Sequence, residues 1–162
     1  MERIVTLSES EIGLARLVAS QRTANNRVAQ TQHNVNVPGQ DNFNNEILGV
    51  CGEMVFAKEF NVYLDLTFHN RSGGHDLIYK GHTIDVKTTH LENGRLVVPL
   101  KKKNSPSDVY VLVTGNLPTF TIRGYATKNK VFESVMNLGH GPCYALDQSE
   151  LNQFKLNQDE NN

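Results

Sequence analysis

The stretch from about residue 44 to residue 60 has the pattern that most restricts how this chain can fold. It has the length of a helix and is apolar almost all the way round, with Glu53 as the only charged residue between Ile47 and Ala57. Helices that are hydrophobic on every side are buried. Gly49 and Gly52 would let another backbone approach closely. We therefore expect this helix to lie inside the protein, in contact with other elements.

The rest of the pattern predicts a second helix and a sheet. Ser8 and Glu11 fit a capping box that begins a helix running to about residue 30, whose polar second half, residues 22–32, is expected to face solvent. A loop is expected at residues 34–45. Strands are predicted at residues 76–79, 82–89, 95–100, 108–114 and 119–125.

The predicted connections indicate how these elements are arranged. Lys80-Gly81 and Glu92-Asn93-Gly94 are typical of hairpin turns, and Asn116-Leu117-Pro118 of a hairpin connection. A short helix is expected at residues 127–137 and a last one at residues 151–154, capped by Asp147. The fold class expected is α/β in the mixed α+β sense, a central mixed β-sheet flanked by helices. Residues 1–156 should form one domain, and the polar tail 157–162 is expected to be disordered.

Composition excludes several classes of protein. A chain of 162 residues is long enough to bury a core without disulfides. Cys51 and Cys143 are far apart in sequence, which argues against a zinc site or a disulfide framework and favours a reducing cytoplasm. No apolar run is long enough to cross a membrane. The net charge of -1 shows no basic excess, so attraction to phosphate must come from local clusters or bound metal.

The predicted strand around Asp85-Val86-Lys87 carries the first candidate site residues. Successive strand residues point to opposite faces, so Asp85 and Lys87 share one face while Ile84 and Val86 share the other. A carboxylate there can hold a divalent cation, and the ammonium can orient or polarise a water. The alternative is an ordinary ion pair on a solvated strand.

Two further carboxylates extend this candidate site. A hairpin at Lys80-Gly81 would place Asp76 across from Asp85, where two carboxylates and a lysine could share one cation. The alternative for Asp76 is a turn cap. Glu53 on the apolar helix needs a cation, hydrogen-bond donors or a route to water, because burying it unpaired costs several kcal/mol. Its helix edge could instead be exposed, and Glu46, on the same stripe, could be the helix carboxylate of the site.

The order Glu53, Gly-Gly-His-Asp76, Asp85-Val86-Lys87-Thr88-Thr89 resembles the PD-(D/E)xK nuclease superfamily, which includes restriction endonucleases, Holliday-junction resolvases and phage nucleases. The resemblance covers about residues 46–114. Asp85 stands where Glu is commoner, and no proline precedes Asp76. The resemblance implies a restriction-endonuclease-like core. It also implies metal binding by Asp76, Asp85, Glu53 and the Val86 carbonyl, with Lys87 positioning the attacking water.

The activity that the resemblance implies is hydrolysis of DNA phosphodiester bonds assisted by Mg²⁺, for which Mn²⁺ can substitute. Endonuclease action is favoured over exonuclease action, and the related enzymes commonly act as homodimers. No motif for an organic cofactor is present. The alternative is a catalytically inactive module of the same fold that binds nucleic acid or a protein partner.

Basic residues outside the site are candidate DNA contacts. Lys101, Lys102 and Lys103 form the best phosphate-contact cluster in the sequence, and Arg71 lies in the lead-in to Asp76. A solvated charge run is the alternative for the three lysines. A second polar surface around Arg22 and Arg27 is a weaker candidate, and His75 and His90, which flank the site, are given no role.

Overall fold

A computed structural model describes residues 2–28, 41–66 and 74–155 of the chain, without the side chains of residues 26–28 and 42. Several predictions concern residues outside these ranges. They are the DNA contact at Arg71, the tail 157–162 and most of the predicted loop 34–45. The side chain of Arg27 is outside them as well.

The described residues form three α-helices, and capping side chains mark the starts of the first two. Helix α1 spans Glu9–Val28, α2 spans Asn42–Phe60 and α3 spans Lys128–Phe132. The predicted capping box is confirmed: Ser8 Oγ accepts from the Glu11 amide at 3.2 Å, and Glu11 Oε2 accepts from the Ser8 amide at 2.6 Å. Asp41 caps α2 by accepting from the amides of Phe43 and Asn44. Within the described ranges, no helix has both the length and the apolar content needed to cross a membrane.

Eight strands form two sheets. They are β1 Arg3–Thr6, β2 Leu77–Tyr79, β3 His82–Thr89, β4 Leu96–Pro99, β5 Val109–Asn116, β6 Thr119–Thr127, β7 Val135–Asn137 and β8 Pro142–Leu146. The larger sheet has five strands in the order β1-β6-β5-β3-β2, in which only β3 and β5 are parallel. The smaller sheet is antiparallel, in the order β4-β8-β7. The predicted hairpin between β5 and β6 is confirmed.

The larger sheet is covered on both faces. On one face lies α2, which is itself covered by α1, and the apolar residues of α2 pack with Ile84, Val86, Val111 and Val113. On the other face, Tyr110 and Leu112 pack with the smaller sheet and α3. The protein is therefore of the mixed α+β class, with a mixed sheet flanked by helices. Helix α2 is buried from Val50 to Ala57, as its pattern predicts, while residues 43–45 at its start and Lys58 are exposed.

The hairpin that joins β2 to β3 sets the geometry of the site. Lys80 and Gly81 both have positive φ, 48° and 80°, which is the conformation of a two-residue hairpin turn. Leu77 pairs with Ile84 and Tyr79 with His82. The predicted register is confirmed, and its continuation places residue 76 opposite residue 85.

The predicted hairpin at Glu92-Asn93-Gly94 is wrong. A tight turn is present, in which the Gly94 amide donates to the Leu91 carbonyl at 2.9 Å. However, β4 leaves β3 after this turn and pairs with β8 of the smaller sheet. A Cβ on Gly94 would lie 2.4 Å from Thr89 Cγ2, so glycine is needed there for close packing against the end of β3.

The predicted last helix at residues 151–154 is also wrong. Asp147 does cap a helical turn, but that turn is a 3₁₀ helix, Gln148–Glu150, and the chain then extends to pair Asn152 with Tyr125. The predicted helix at residues 127–137 ends at Phe132 and is followed by β7. Strands β1, β7 and β8 are short; β1 pairs with β6 and β8 with β4, both distant in sequence, whereas β7 forms a hairpin with β8. The sequence pattern did not predict these three strands.

Candidate active site

Asp85 and Lys87 lie side by side on β3, on the face opposite α2. The register places Asp85 beside Tyr110 and Lys87 beside Leu112 of β5. The Lys87 ammonium donates a hydrogen bond to Asp85 Oδ1. Asp85 is 3% exposed, whereas the Lys87 side chain is 26% exposed. The pair is therefore not on a solvated strand: its carboxylate is buried and the Lys87 side chain is only partly exposed.

The carboxylate of Asp76 joins this pair from the neighbouring strand. Asp76 Oδ2 accepts a hydrogen bond from the Val86 amide at 2.7 Å, and the Asp76 amide donates to the Ile84 carbonyl at 2.8 Å. Asp76 is thus held against the peptide that links Asp85 to Val86. Its carboxylate therefore accepts a hydrogen bond from a strand amide, which is a different role from the turn cap considered as the alternative.

Two neighbouring carboxylates determine the protonation of Lys87. Burial acts to lower the pKa of Lys87, but the adjacent Asp85 carboxylate and, less strongly, that of Asp76 raise it above its ordinary value. Burial also raises the pKa of the neighbouring Tyr110 phenol. Near neutral pH the group at position 87 is therefore an ammonium ion between two carboxylates, able to donate hydrogen bonds but not to accept a proton.

Glu53 lies buried on α2 and is ion-paired with Arg22 of α1. Arg22 Nη1 donates to Glu53 Oε1 at 3.3 Å and to Oε2 at 3.2 Å, and Arg22 Nη2 donates to the Asp65 carbonyl at 3.5 Å. The two side chains are 11% and 10% exposed. The alternative that Glu53 sits on an exposed helix edge is wrong. Arg22 is turned inward, so the prediction of a solvent-facing second half of α1 and the suggested nucleic-acid surface are also wrong at that residue.

Gly52 brings α2 onto the strand that carries the site. A Cβ at this position would lie 1.9 Å from Thr88 Oγ1, so only glycine allows the helix and β3 to come so close. Glu53 is the next residue after this contact, so its backbone lies close to β3, the strand that carries Asp85 and Lys87. The expected close approach is confirmed at Gly52 and wrong at Gly49, where a Cβ would meet nothing within 4 Å.

A cleft of about 570 Å³ opens beside Lys87. Its walls are the end of β3 and the turn that leads to Arg95, and its floor is apolar, with Val97 and Leu112. Arg95 Nε is ion-paired with Asp147 Oδ1 at 2.5 Å, and Gln148 Nε2 donates to the carbonyl of Gly94 at 2.9 Å. These contacts fix the turn. The cleft is lined by two cations, Lys87 and Arg95, and by Asp147, to which Arg95 is paired.

The other predicted contact residues lie outside strands β2 and β3. The three lysines form the 3₁₀ helix Leu100–Asn104, on which Lys101 and Lys103 are exposed and Lys102 is half-buried. His75 is half-buried and His90 is exposed. Glu46 is half-buried near the start of α2, whereas Glu53 is buried in its middle.

The atoms that could bind a metal at this site are carboxylate oxygens. Asp76 and Asp85 supply carboxylates from adjacent strands, and a hard cation such as Mg²⁺ is commonly held by one or two carboxylates together with waters and substrate phosphates. Across residues 2–28, 41–66 and 74–155, no three side chains of His, Cys, Asp and Glu are grouped to hold a metal ion. Asp76 and Asp85 are oxygen donors of the kind that Mg²⁺ takes together with waters, while Glu53 is paired with Arg22.

Two residues of this region were missed in the sequence. Arg22 was assigned to a polar surface because its neighbours are Asn and Gln, and its partner lies 31 residues away. The lone carboxylate of Glu53 on an apolar helix is the sequence feature that indicates a nearby cation. Arg95 was taken only as the start of a strand, and nothing local indicates its pairing with Asp147.

Comparison with known proteins gives a family without an assigned activity. A model described as a family of unknown function (DUF5843) matches residues 5–139, which include every described residue of the site. No curated protein matches the chain.

Proposed function

The chain belongs to the DUF5843 family, whose function is unknown, and we propose from the geometry of its site that it is a Mg²⁺-dependent nuclease that hydrolyses phosphodiester bonds of DNA. The observation that carries the proposal is the meeting of Asp76, Asp85 and Lys87 on two adjacent strands, with Asp76 held at the Val86 amide and Lys87 at Asp85. We further propose that the larger sheet and α2 correspond to a restriction-endonuclease-like core.

Asp76 and Asp85 would hold the cation, with the Val86 carbonyl as a further ligand. Glu53, the accessory carboxylate that the resemblance implies, lies on α2 at the other face of β3, where it is paired with Arg22. When bound, Mg²⁺ would neutralise charge on the scissile phosphate and make a water more acidic. The burial of Asp85 supports this assignment, since a buried carboxylate gains most from a nearby cation.

Lys87 would position the attacking water. Lys87 lines the cleft, so its ammonium can donate to a water or to a phosphate oxygen there. Arg95 in the same cleft is neutralised by its ion pair with Asp147, so the exposed Lys101 and Lys103 would supply the local positive charge in a chain whose net charge is -1. On α1, the exposed Leu14 and Leu17 would be available for the homodimer that the resemblance implies.

The proposal is tested by incubating duplex and single-stranded DNA with Mg²⁺ and the purified protein or its variants. We expect Asp76→Asn, Asp85→Asn and Lys87→Gln each to lower the rate by at least about 100-fold, because each removes a group that acts in the transition state. Asp41→Asn and Lys130→Gln are matched controls, since they make the same changes at exposed positions outside the site. Circular dichroism and thermal melting show whether each variant is folded. Cleavage at the parent rate by both Asp85→Asn and Lys87→Gln would refute the proposal.

The second candidate is an inactive module of the same fold that binds nucleic acid or a protein partner. It is favoured by the two ion pairs, Asp85 with Lys87 and Glu53 with Arg22, which balance the buried carboxylates within the protein. Titration with Mg²⁺ or Mn²⁺ separates the candidates. A metal-binding enzyme should melt at a higher temperature as the cation is added, and Asp85→Asn should lose that response, whereas the inactive module should not respond.

A further inference from the structure

A second pocket, of about 800 Å³, opens on the α2 side of the larger sheet, where β3 begins and β6 ends. None of the residues Glu53, Asp76, Asp85, Val86 and Lys87 lines it. Its volume lies in the range of small-molecule sites, about 300–1,000 Å³. The pocket is therefore large enough for a ligand of the size of a nucleotide, and it is separate from the groups to which the proposed function assigns catalysis.

The apolar part of this pocket consists of three aromatic rings together with Ile84 and Val109. Tyr79, Tyr125 and Phe154 line it, and all three are only partly buried. They belong to one ring cluster: the ring centroids of Tyr125 and Phe154 are 4.7 Å apart, and those of Tyr79 and Phe60 are 4.9 Å apart. Because these rings are held by their neighbours, a flat aromatic ligand would meet a wall that is already ordered.

The rim of the pocket carries an excess of positive charge. Lys80, Lys128 and Lys155 line it, and among the residues that the structure describes Asp108 is the only carboxylate that does so. Asp108 is engaged in the fold, since its Oδ2 accepts from the Thr83 amide at 3.0 Å. Lys128 is similarly anchored, donating to the Ser105 carbonyl at 2.6 Å. Lys80 and Lys155 are exposed, and the Lys80 ammonium lies 5.7 Å from the centroid of the Tyr79 ring. Both side chains are at the rim, where an anion can reach them.

We infer that this pocket binds a ligand with an aromatic ring and an anionic group, of the nucleoside monophosphate class. The aromatic wall would contact the base, and the lysines of the rim would contact the phosphate. Asn129 and Gln153, which also line the pocket, offer amide groups to the edge of the base. The inference does not depend on nuclease activity.

The test is isothermal titration of the full-length protein with adenosine 5′-monophosphate, adenosine, ribose 5-phosphate and inorganic phosphate. We expect the nucleotide to bind at least about tenfold more tightly than any of the other three, because only it uses both the rings and the lysines. Equal binding of nucleotide, ribose 5-phosphate and inorganic phosphate would mean a site for phosphate alone and would overturn the inference. No binding of the nucleotide at millimolar concentration would also overturn it.

Variants locate the binding. Lys80→Asn with Lys155→Gln should weaken the nucleotide about tenfold and leave adenosine unchanged, since both positions are exposed and the change removes only charge. Lys101→Gln with Lys103→Gln is the matched control, with the same loss of two charges on the 3₁₀ helix, and should have no effect. Equal weakening by both double variants would refute the assignment. Binding seen only after removal of residues 156–162 would also refute it, because the occupant in the intact chain would then be its own C-terminal segment.

Discussion

Gly52 is the residue at which the helix and the strand of the site come closest. We expect Gly52→Ala to lower the free energy of unfolding by about 1–3 kcal/mol, because the added Cβ would overlap Thr88, whose branched side chain has little freedom to move. Gly49→Ala is the matched control in the same helix: with nothing within 4 Å, it should stabilise by up to about 1 kcal/mol through helix propensity.

Chemical denaturation measures both values, and Thr88→Ala should restore part of the stability lost in Gly52→Ala. Equal effects of the two glycine substitutions would show that helix and strand are not in contact at Gly52.

Cys51 is the residue whose ionisation the fold suppresses most clearly. Burial raises the pKa of its thiol to about 11. We therefore expect iodoacetamide at pH 8 to label the half-buried Cys143 first and Cys51 only after unfolding, as followed by mass spectrometry. Labelling of both thiols at the same rate in the native protein would contradict this.

The same shift gives the direction of a pH effect on stability. The folded state keeps the Cys51 proton up to a pH of about 11, whereas the unfolded chain loses it near the ordinary value. This contribution is complete below the unfolded pKa and is lost as the pH rises toward the folded one. Cys51→Ala should therefore show a smaller loss of stability between pH 8 and pH 11 than the parent, in keeping with these values.

At the level of elements, the ion pair between Arg22 and Glu53 joins α1 to α2. Arg22→Met should cost about 3–5 kcal/mol, because it leaves the buried carboxylate without this partner. Arg22→Met combined with Glu53→Gln should recover most of that loss, since the charge is then removed as well. A cost below about 1 kcal/mol for Arg22→Met, measured by denaturant unfolding, would show that the pair is solvated.

The elements that could be predicted from sequence are those whose determinants are local. The capping box at Ser8 and the turn at Lys80-Gly81 lie within a few residues of what they organise, and both are confirmed. The turn at Gly94 has the composition of a hairpin, but the partner of β4 is decided by β8, about fifty residues later. Strand β1 was missed for the same reason, because its partner β6 lies more than a hundred residues away.

The candidate site divides in the same way. Asp76, Asp85 and Lys87 could be related through strand alternation and one hairpin, both of which are local. The inward turn of Arg22 and the pairing of Arg95 with Asp147 depend on how separate elements pack, and no spacing in the sequence contains that information.

At the level of the whole molecule, the near-zero net charge makes DNA binding depend on local cations. We expect Asp85→Asn, used to prevent cleavage, to bind duplex DNA with an affinity that falls with salt concentration. Adding Lys101→Gln and Lys103→Gln should reduce the slope of log K against log salt by about 2 if both lysines contact phosphate. Fluorescence anisotropy measures the slope, and Lys130→Gln should leave it unchanged. An unchanged slope in the lysine variant would place the DNA elsewhere.

Strand β5 is the middle strand of the larger sheet, and its alternate side chains belong to the two different apolar clusters, Val111 and Val113 to one and Tyr110 and Leu112 to the other. Neither cluster can open without exposing one face of this strand. Its backbone amides should therefore be among the last to exchange hydrogen for deuterium, doing so only when the whole molecule unfolds, while the edge strands β1 and β2 exchange through smaller openings. The two sides of the sheet would then behave as one cooperative unit, with β5 as the element they share.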